Sequence, residues 1–225
     1  MKNLILLHGA LGAASLFDHL TATLSDYECH TFNFSGHGKA AFANSGFGIE
    51  QFANELEAFI RENQLEGSPV FGYSMGGYVA LYLETLNPGT FSKIVTLGTK
   101  FDWQPDAAQH EASRMVPGVI KEKVPHFAAM LEERHGAQWE QLMEATAQMM
   151  IGLGNQPLLK AENLALINTP ATIMLGDKDH MVSLEESQLL ASYLSHGSYQ
   201  HLENTPHPLE KVDPVRLSSV LKSLF

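Results

Sequence analysis

Five residues, Gly72-Tyr73-Ser74-Met75-Gly76, constrain the fold of this chain more than any others. They lie between the apolar run Pro69-Val70-Phe71 and the helical pattern Gly77-Tyr78-Val79-Ala80-Leu81-Tyr82-Leu83. A buried strand that turns at once into a helix needs residues without a Cβ on both sides of the turning residue, and glycine supplies them. The residue at the apex is then strained and exposed, with its side chain aimed off the end of the sheet. Here that residue is Ser74. The N–H of Met75 opens the helix beside it, a position suited to binding an oxyanion. Two readings stand at this point: Ser74 is a nucleophile, or it is only the cap of a glycine-rich strand–helix turn.

Composition excludes several other classes. The 225 residues are 44% hydrophobic and 17% charged, the balance of an ordinary globular protein long enough for one large domain or a domain with an insertion. Formal net charge is −11, and the 14 Lys and Arg form no basic cluster, so nucleic acid is not expected as a partner. The single cysteine, Cys29, forms no intrachain disulfide and reads as a small core residue. It suits a reducing compartment, and a cytoplasmic location is expected. Leu4-Ile5-Leu6-Leu7 is shorter than the roughly 7–15 apolar residues of a signal-peptide core. No window approaches the roughly 18 apolar residues of a membrane span, so no membrane partner is expected. None of the 11 histidines has His-Glu-x-x-His spacing, and no metal is expected.

Short apolar runs alternate with amphipathic stretches, the pattern of a parallel sheet with helices on both faces. Strands are expected at Asn3–Leu7, Glu28–Asn33, Pro69–Tyr73, Lys93–Leu97, Ala171–Leu175 and Ser198–Leu202. Helices are expected near Ser15–Leu24, Ile49–Glu62, Met75–Leu86, Leu184–Leu194 and Pro214–Leu224. Phe52, Leu56, Phe59 and Ile60 give the second helix its buried stripe. From Phe101 to Asn155 the alternation breaks. Asp106–Arg114, Val124–Arg134 and Ala137–Ile151 read as helices separated by Pro117-Gly118, Pro125 and Gly136. A crossover between parallel strands needs one helix, so the excess reads as a helical cap over the C-terminal edge of the sheet, where open α/β sheets bind ligands. The expected organisation is a core of residues 1–100 and 156–225 with a cap of residues 101–155.

Four motifs in order resemble those of the α/β-hydrolase superfamily, and the likeness runs over nearly the whole chain. They are Leu6-Leu7-His8-Gly9-Ala10-Leu11-Gly12, Asn33-Phe34-Ser35-Gly36-His37-Gly38, the turn at Ser74, and the pair Gly176-Asp177-Lys178-Asp179 and Thr205-Pro206-His207-Pro208-Leu209-Glu210. The resemblance implies an α/β-hydrolase fold with about six mainly parallel strands, here without the family's leading antiparallel hairpin. It implies a triad in the order Ser74, Asp179, His207. It also implies an oxyanion hole from the N–H groups of Ala10 and Met75, with Leu11 second to Ala10, and a supporting role for His8. Asn33 stands where the second motif usually has Asp, and Glu210 follows His207 by three residues where many relatives have a longer spacing. Asp177 is the alternative acid, and it reads as a brace for its loop. His201 reads as a strand residue, and His180 is too close to Asp179 to turn back onto it. His37, His110, His126, His135 and His196 read as surface or loop residues, and Lys100 as a solvated hinge.

The expected activity is hydrolysis of a small neutral carboxylic ester through an acyl-enzyme, with a small-molecule substrate and no cofactor. The alternative is a carbon–carbon bond hydrolase, or a lyase like the menaquinone-pathway synthase, on the same triad. A silent binding protein on the same fold is a third class. Substrates of the alternative enzymes are anionic and call for cations, for which the 101–155 region offers only Arg114, Arg134, Lys121 and Lys123. Met115, Met130, Met143, Met149 and Met150, with Phe101, Trp103, Phe127 and Trp139, either pack that region internally or form an adaptable apolar wall over the substrate.

Overall fold

The computed structural model describes all residues, Met1–Phe225. Its six strands are β1 (Lys2–Leu7), β2 (Tyr27–Thr31), β3 (Val70–Tyr73), β4 (Ile94–Leu97), β5 (Ala171–Lys178) and β6 (Gly197–Pro206). They form one sheet in the order β2-β1-β3-β4-β5-β6, and every pairing is parallel. The chain runs outward from β1 to β2, then returns to place β3 on the other side of β1. The switch in direction opens a crevice beyond the C-terminal ends of β1 and β3.

Side-chain alternation divides the core in two. Leu4 and Leu6 of β1, with Phe71 and Tyr73 of β3, pack under α1 (Asp18–Thr23) and α10 (Pro214–Leu224) through Leu20, Leu217 and Leu221. Ile5 and Leu7, with Val70 and Ile94, pack under α2 (Ile49–Glu62) and α3 (Met75–Leu86). Both faces of the central strands β3 and β4 and of most of β1 and β5 are covered, which is why these read as continuous apolar runs, whereas the edge strands β2 and β6 stay partly exposed. The helices α2, α3 and α10 have the bounds that their periodicity predicts.

Between β4 and β5 the chain forms α4 (Pro105–Ser113), α5 (Pro117–Lys123), α6 (Pro125–His135), α7 (Trp139–Asn155) and the short α8 (Ala161–Leu164). The sequence reading treats Pro117-Gly118 as a break, whereas Pro117 is the first residue of α5. A proline has no N–H to lose at that position, and its fixed φ suits the helix start. No helix was expected at α8. The last long helix, α9 (Leu184–Tyr193), covers β5 and β6. No helix is long and apolar enough to cross a membrane.

β5 and β6 pair further than their apolar runs extend, through an irregularity between Gly176 and Lys178. Asp177 therefore lies within β5, and His207 follows β6 immediately.

The turn after β3 depends on close backbone approach. A Cβ on Gly76 would sit 2.3 Å from the Leu7 carbonyl oxygen, and one on Gly72 would sit 2.4 Å from the Gly77 Cα. Backbone cannot yield as a flexible side chain does. Gly76→Ala should therefore lower stability by roughly 3 kcal/mol, read as a shift in the urea midpoint. A loss below about 1 kcal/mol would show that α3 can move away from β1.

Candidate active site

Ser74 occupies the junction of β3 and α3 with φ 50° and ψ −117°. A non-glycine residue held at positive φ is strained, and the surrounding contacts must enforce it. The Ser74 N–H donates to the Leu97 carbonyl at 2.9 Å, and the Thr99 hydroxyl donates to the Ser74 carbonyl at 3.0 Å. Met75 is the first residue of α3, so its N–H has no acceptor within that helix. Across the crevice, the Ala10 N–H makes no hydrogen bond within the chain.

Ser74 Oγ lies 3.3 Å from His207 Nε2, and His207 Nδ1 lies 2.6 Å from Asp179 Oδ2. The carboxylate can only accept, so Nδ1 carries the proton and Nε2 presents its lone pair to the serine hydroxyl. The Asp179 side chain is only 2% exposed. Its other oxygen accepts the N–H groups of Met181 and Val182 at 2.8 and 3.0 Å. The Tyr73 hydroxyl donates to the His207 carbonyl at 2.6 Å and pins the loop after β6. Three strand ends thus bring Ser74, Asp179 and His207 together. Asp177 faces elsewhere, accepting the Thr205 N–H at 3.0 Å. Hydrogen bonds from the Asn204 and Thr205 N–H groups hold its carboxyl below the usual range.

A cavity of about 40 Å³ adjoins Ser74, His207, Ala10 and Met75. Its walls are mostly apolar and include Ile49, Trp103, Met149, Met150, Leu153 and Met181. Of the nine Met and aromatic residues singled out between 101 and 155, only Trp103, Met149 and Met150 reach it. Trp139 and Met143 pack with Ala128 and Leu131, and Met115 and Phe127 lie against that cluster. Lys100 also lines the cavity and is not a solvated hinge. Its Nζ lies 3.4 Å from Glu186 Oε2 and 5.6 Å from the Trp103 ring centroid. Arg114 is exposed beside Glu111 and His110, and Lys121 pairs with Glu140.

Three residues at this site escape the sequence reading. Gly98, at φ 63°, lies under the Asp179–His207 hydrogen bond, where a Cβ would sit 3.0 Å from Asp179 Oδ2 and 3.2 Å from the His207 ring. Its signal is a glycine directly after β4. Tyr73 carries no signal beyond its place in the motif. Glu186 sits three residues after Ser183, in capping-box spacing, and the Ser183 hydroxyl accepts its N–H. The Glu186 carboxylate instead accepts the N–H groups of Phe101 and Asp102 at 2.7 and 2.8 Å, tying α9 to the segment after β4.

The family model described as the alpha/beta hydrolase fold matches residues 2–116. The chain belongs to the α/β-hydrolase family. A Haemophilus influenzae relative, provisionally named a 2-succinyl-6-hydroxy-2,4-cyclohexadiene-1-carboxylate synthase, is 26% identical over 95% of this chain and 96% of its own length. A Mycoplasma pneumoniae protein provisionally named esterase/lipase 3 is 32% identical over 43% of this chain, and the match spans 36% of that protein. An esterase from Exiguobacterium antarcticum superposes with a TM-score of 0.80 at 20% identity, covering 100% of this chain and 91% of its own, a likeness of fold.

In this α/β-hydrolase the loop after β1 is held by buried histidines. His8 donates from Nδ1 to the Gly9 carbonyl at 2.8 Å and accepts the Phe34 N–H at Nε2. His37 and His135, read from sequence as surface or loop residues, are both buried. His135 accepts the Gly38 N–H at Nδ1 and donates from Nε2 to the Leu11 carbonyl, each at 2.9 Å. Arg134 donates to that carbonyl at 2.9 Å and reaches Glu210 at 2.7 Å. The correction has a physical cause. His135 finds both its backbone partners far away in sequence, at Leu11 and Gly38, whereas His37 bonds the nearby Ser35 carbonyl and is covered by the Phe47 and Phe52 rings.

Burial disfavours the imidazolium, lowering His8 and His135 from 6.5 to about 4 and His37 well below its ordinary value. Arg134 beside His8 and His135 acts in the same direction. Between pH 6.5 and 4 the unfolded chain binds protons that the folded chain refuses, so stability is full above pH 6.5 and falls on acidification. Thermal melts across that range should show a steady fall in midpoint, which His37→Phe should lessen. A midpoint that holds steady down to pH 4 would contradict neutral burial.

Proposed function

We propose that this chain hydrolyses small neutral carboxylic esters through an acyl-enzyme on Ser74. As Ser74 Oγ attacks the carbonyl carbon, its proton passes to His207 Nε2, and Asp179 fixes the tautomer and stabilises the imidazolium. The N–H groups of Ala10 and Met75 bind the tetrahedral oxyanion. Collapse of that intermediate breaks the ester C–O bond, and His207 protonates the departing alcohol. Water then gives a proton to His207 and attacks the acyl carbon. The acid departs as Ser74 regains its proton.

The observation that carries this reading is the unbroken line from Asp179 through His207 to Ser74 Oγ, at 2.6 and 3.3 Å, ending at the helix-opening N–H of Met75. The longer distance is ordinary for a free enzyme, since such bonds tighten when substrate binds. Neutral substrates fit the cavity because Lys100 already faces Glu186 at 3.4 Å. A substrate carboxylate would compete with that partner after losing its own hydration.

The second reading is a carbon–carbon hydrolase or a synthase-like lyase. It is favoured by the Haemophilus influenzae relative's length of match and by the one lysine in the cavity wall. Against it, Arg114 is exposed, and Arg134 is committed to the Leu11 carbonyl and Glu210.

Three measurements test the proposal. A fluorophosphonate probe should label the protein, and Ser74→Ala should abolish labelling and turnover. Asp179→Asn should lower kcat by roughly 10⁴ through the wrong tautomer, and Asp177→Asn far less. Labelling that survives Ser74→Ala, or the reverse ranking of the acids, would overturn the assignments. In a p-nitrophenyl ester series run beside matched dicarboxylate monoesters, the neutral members should win. Glu186→Gln, which keeps an acceptor for the Phe101 and Asp102 N–H groups but frees Lys100, should narrow that preference about tenfold, on the scale of one charge-assisted hydrogen bond. Preference for the anionic members in the unaltered protein would favour the second reading.

A further inference from the structure

The cavity at Ser74 ends on one side at Ile49, Met149 and Leu153. The same three side chains form the inner wall of a separate open groove of about 510 Å³ between Phe47–Glu50 and α7. One layer of side chains therefore divides a space beside the reacting serine from one more than ten times larger. Within that layer Met149 is only half-buried. A Cβ added at Gly48 would meet only the Met149 Cγ, at 4.0 Å, so the space between Gly48 and the Met149 side chain is open. Methionine is unbranched, with three rotatable bonds, and changes rotamer at little cost. Ile49 is fully packed at the start of α2, with 3% exposure, and cannot yield in the same way.

We propose that Met149 is a gate, and that the groove behind it receives the acyl chain of the ester beyond its first two or three carbons. With the gate shut, the 40 Å³ cavity holds roughly three water-sized groups, enough for an acetyl or propionyl unit. A longer chain must turn Met149 aside and continue into the groove. The topology assigns this side to the acyl group. Met181, Val182 and His207 come from the loops after β5 and β6, on one side of β3, and the leaving alcohol must lie against His207 to receive its proton. Ile49 enters from the β2 side, opposite to it. Glu50, Gln148 and Gln156 edge the groove, so a neutral chain end is accommodated and a carboxylate terminus is repelled by Glu50.

The proposal rests on the ester-hydrolase reading, and its test separates the two. The readout is the ratio of kcat/KM for p-nitrophenyl decanoate to that for the acetate. Met149→Ala should raise the ratio about a hundredfold, from the burial of roughly four further methylenes without gate movement. Gly152 lies on the groove face of α7, and a Cβ there meets no atom within 4 Å. Gly152→Trp should therefore fill the groove within an intact helix and lower the ratio about tenfold. The double variant should lose most of the gain. Gly152→Trp alone decides the matter if Met149→Ala does not fold. A ratio unmoved by Gly152→Trp, with acetate still turned over, overturns the groove and leaves the ester reading standing. Absence of turnover on every ester, with no fluorophosphonate labelling of Ser74, overturns the ester reading and the groove with it. Labelling rates with ethyl and dodecyl fluorophosphonates should follow the same order as the ester ratios.

Discussion

The contact between the start of α3 and the end of β1 sets the position of everything else at the site. At Gly76 the helix backbone comes so close to the Leu7 carbonyl that no side chain fits. That approach forces the chain to turn within a single residue, and Ser74 takes up the strain at φ 50°. It also aims the first N–H groups of α3 at the space above β1, where the His8-Gly9-Ala10 loop begins. The proposed nucleophile and both proposed oxyanion donors thus follow from one packing constraint. The long-range pairing of parallel strands then carries the loops of Asp179 and His207 to the same edge.

The segment between β4 and β5 is fastened on both sides of the crevice. On one side, Arg134 and His135 donate to the Leu11 carbonyl, next to Ala10. On the other, Glu186 holds the N–H groups of Phe101 and Asp102 and faces Lys100. These bonds are buried or partly buried, where charge-assisted contacts are stronger than on the surface. The helices over the site are therefore held by their ends. The variable element is the side-chain lining between the ends, with Met149 its most adaptable member. A site so arranged can keep its reacting groups fixed while the shape of its acyl space changes.

Much of the fold was legible because its signals are local. The Phe52-Leu56-Phe59-Ile60 stripe placed α2, and the motif around Ser74 placed both β3 and α3. Six apolar runs gave six parallel strands. What was not legible depended on distant partners. β5 and β6 extend past their apolar residues because they pair with each other. His37 and His135 are polar by type and buried by circumstance, His135 through partners at Leu11 and Gly38 and His37 through packing against Phe47 and Phe52. Lys100 read as solvated because its partner Glu186 is 86 residues away. Pro117 was misread for a different reason, because proline both ends and begins helices. At the site, the resemblance to the α/β-hydrolase motifs singled out Ser74, Asp179 and His207, which meet in space. The Gly98 gap under the Asp179–His207 hydrogen bond required coordinates.

In the proposed chemistry Ser74 becomes acylated and water then releases the acyl group. The most direct measurement is rapid-quench mass spectrometry of the protein mixed with p-nitrophenyl acetate, followed by peptide mapping. An acyl-enzyme on Ser74 should give a burst of p-nitrophenol, matched by an adduct of one acetyl group on the peptide that contains Ser74, and decay of that adduct at the rate of turnover. Turnover with no acetylated protein at any time, or an adduct confined to another residue, would contradict it.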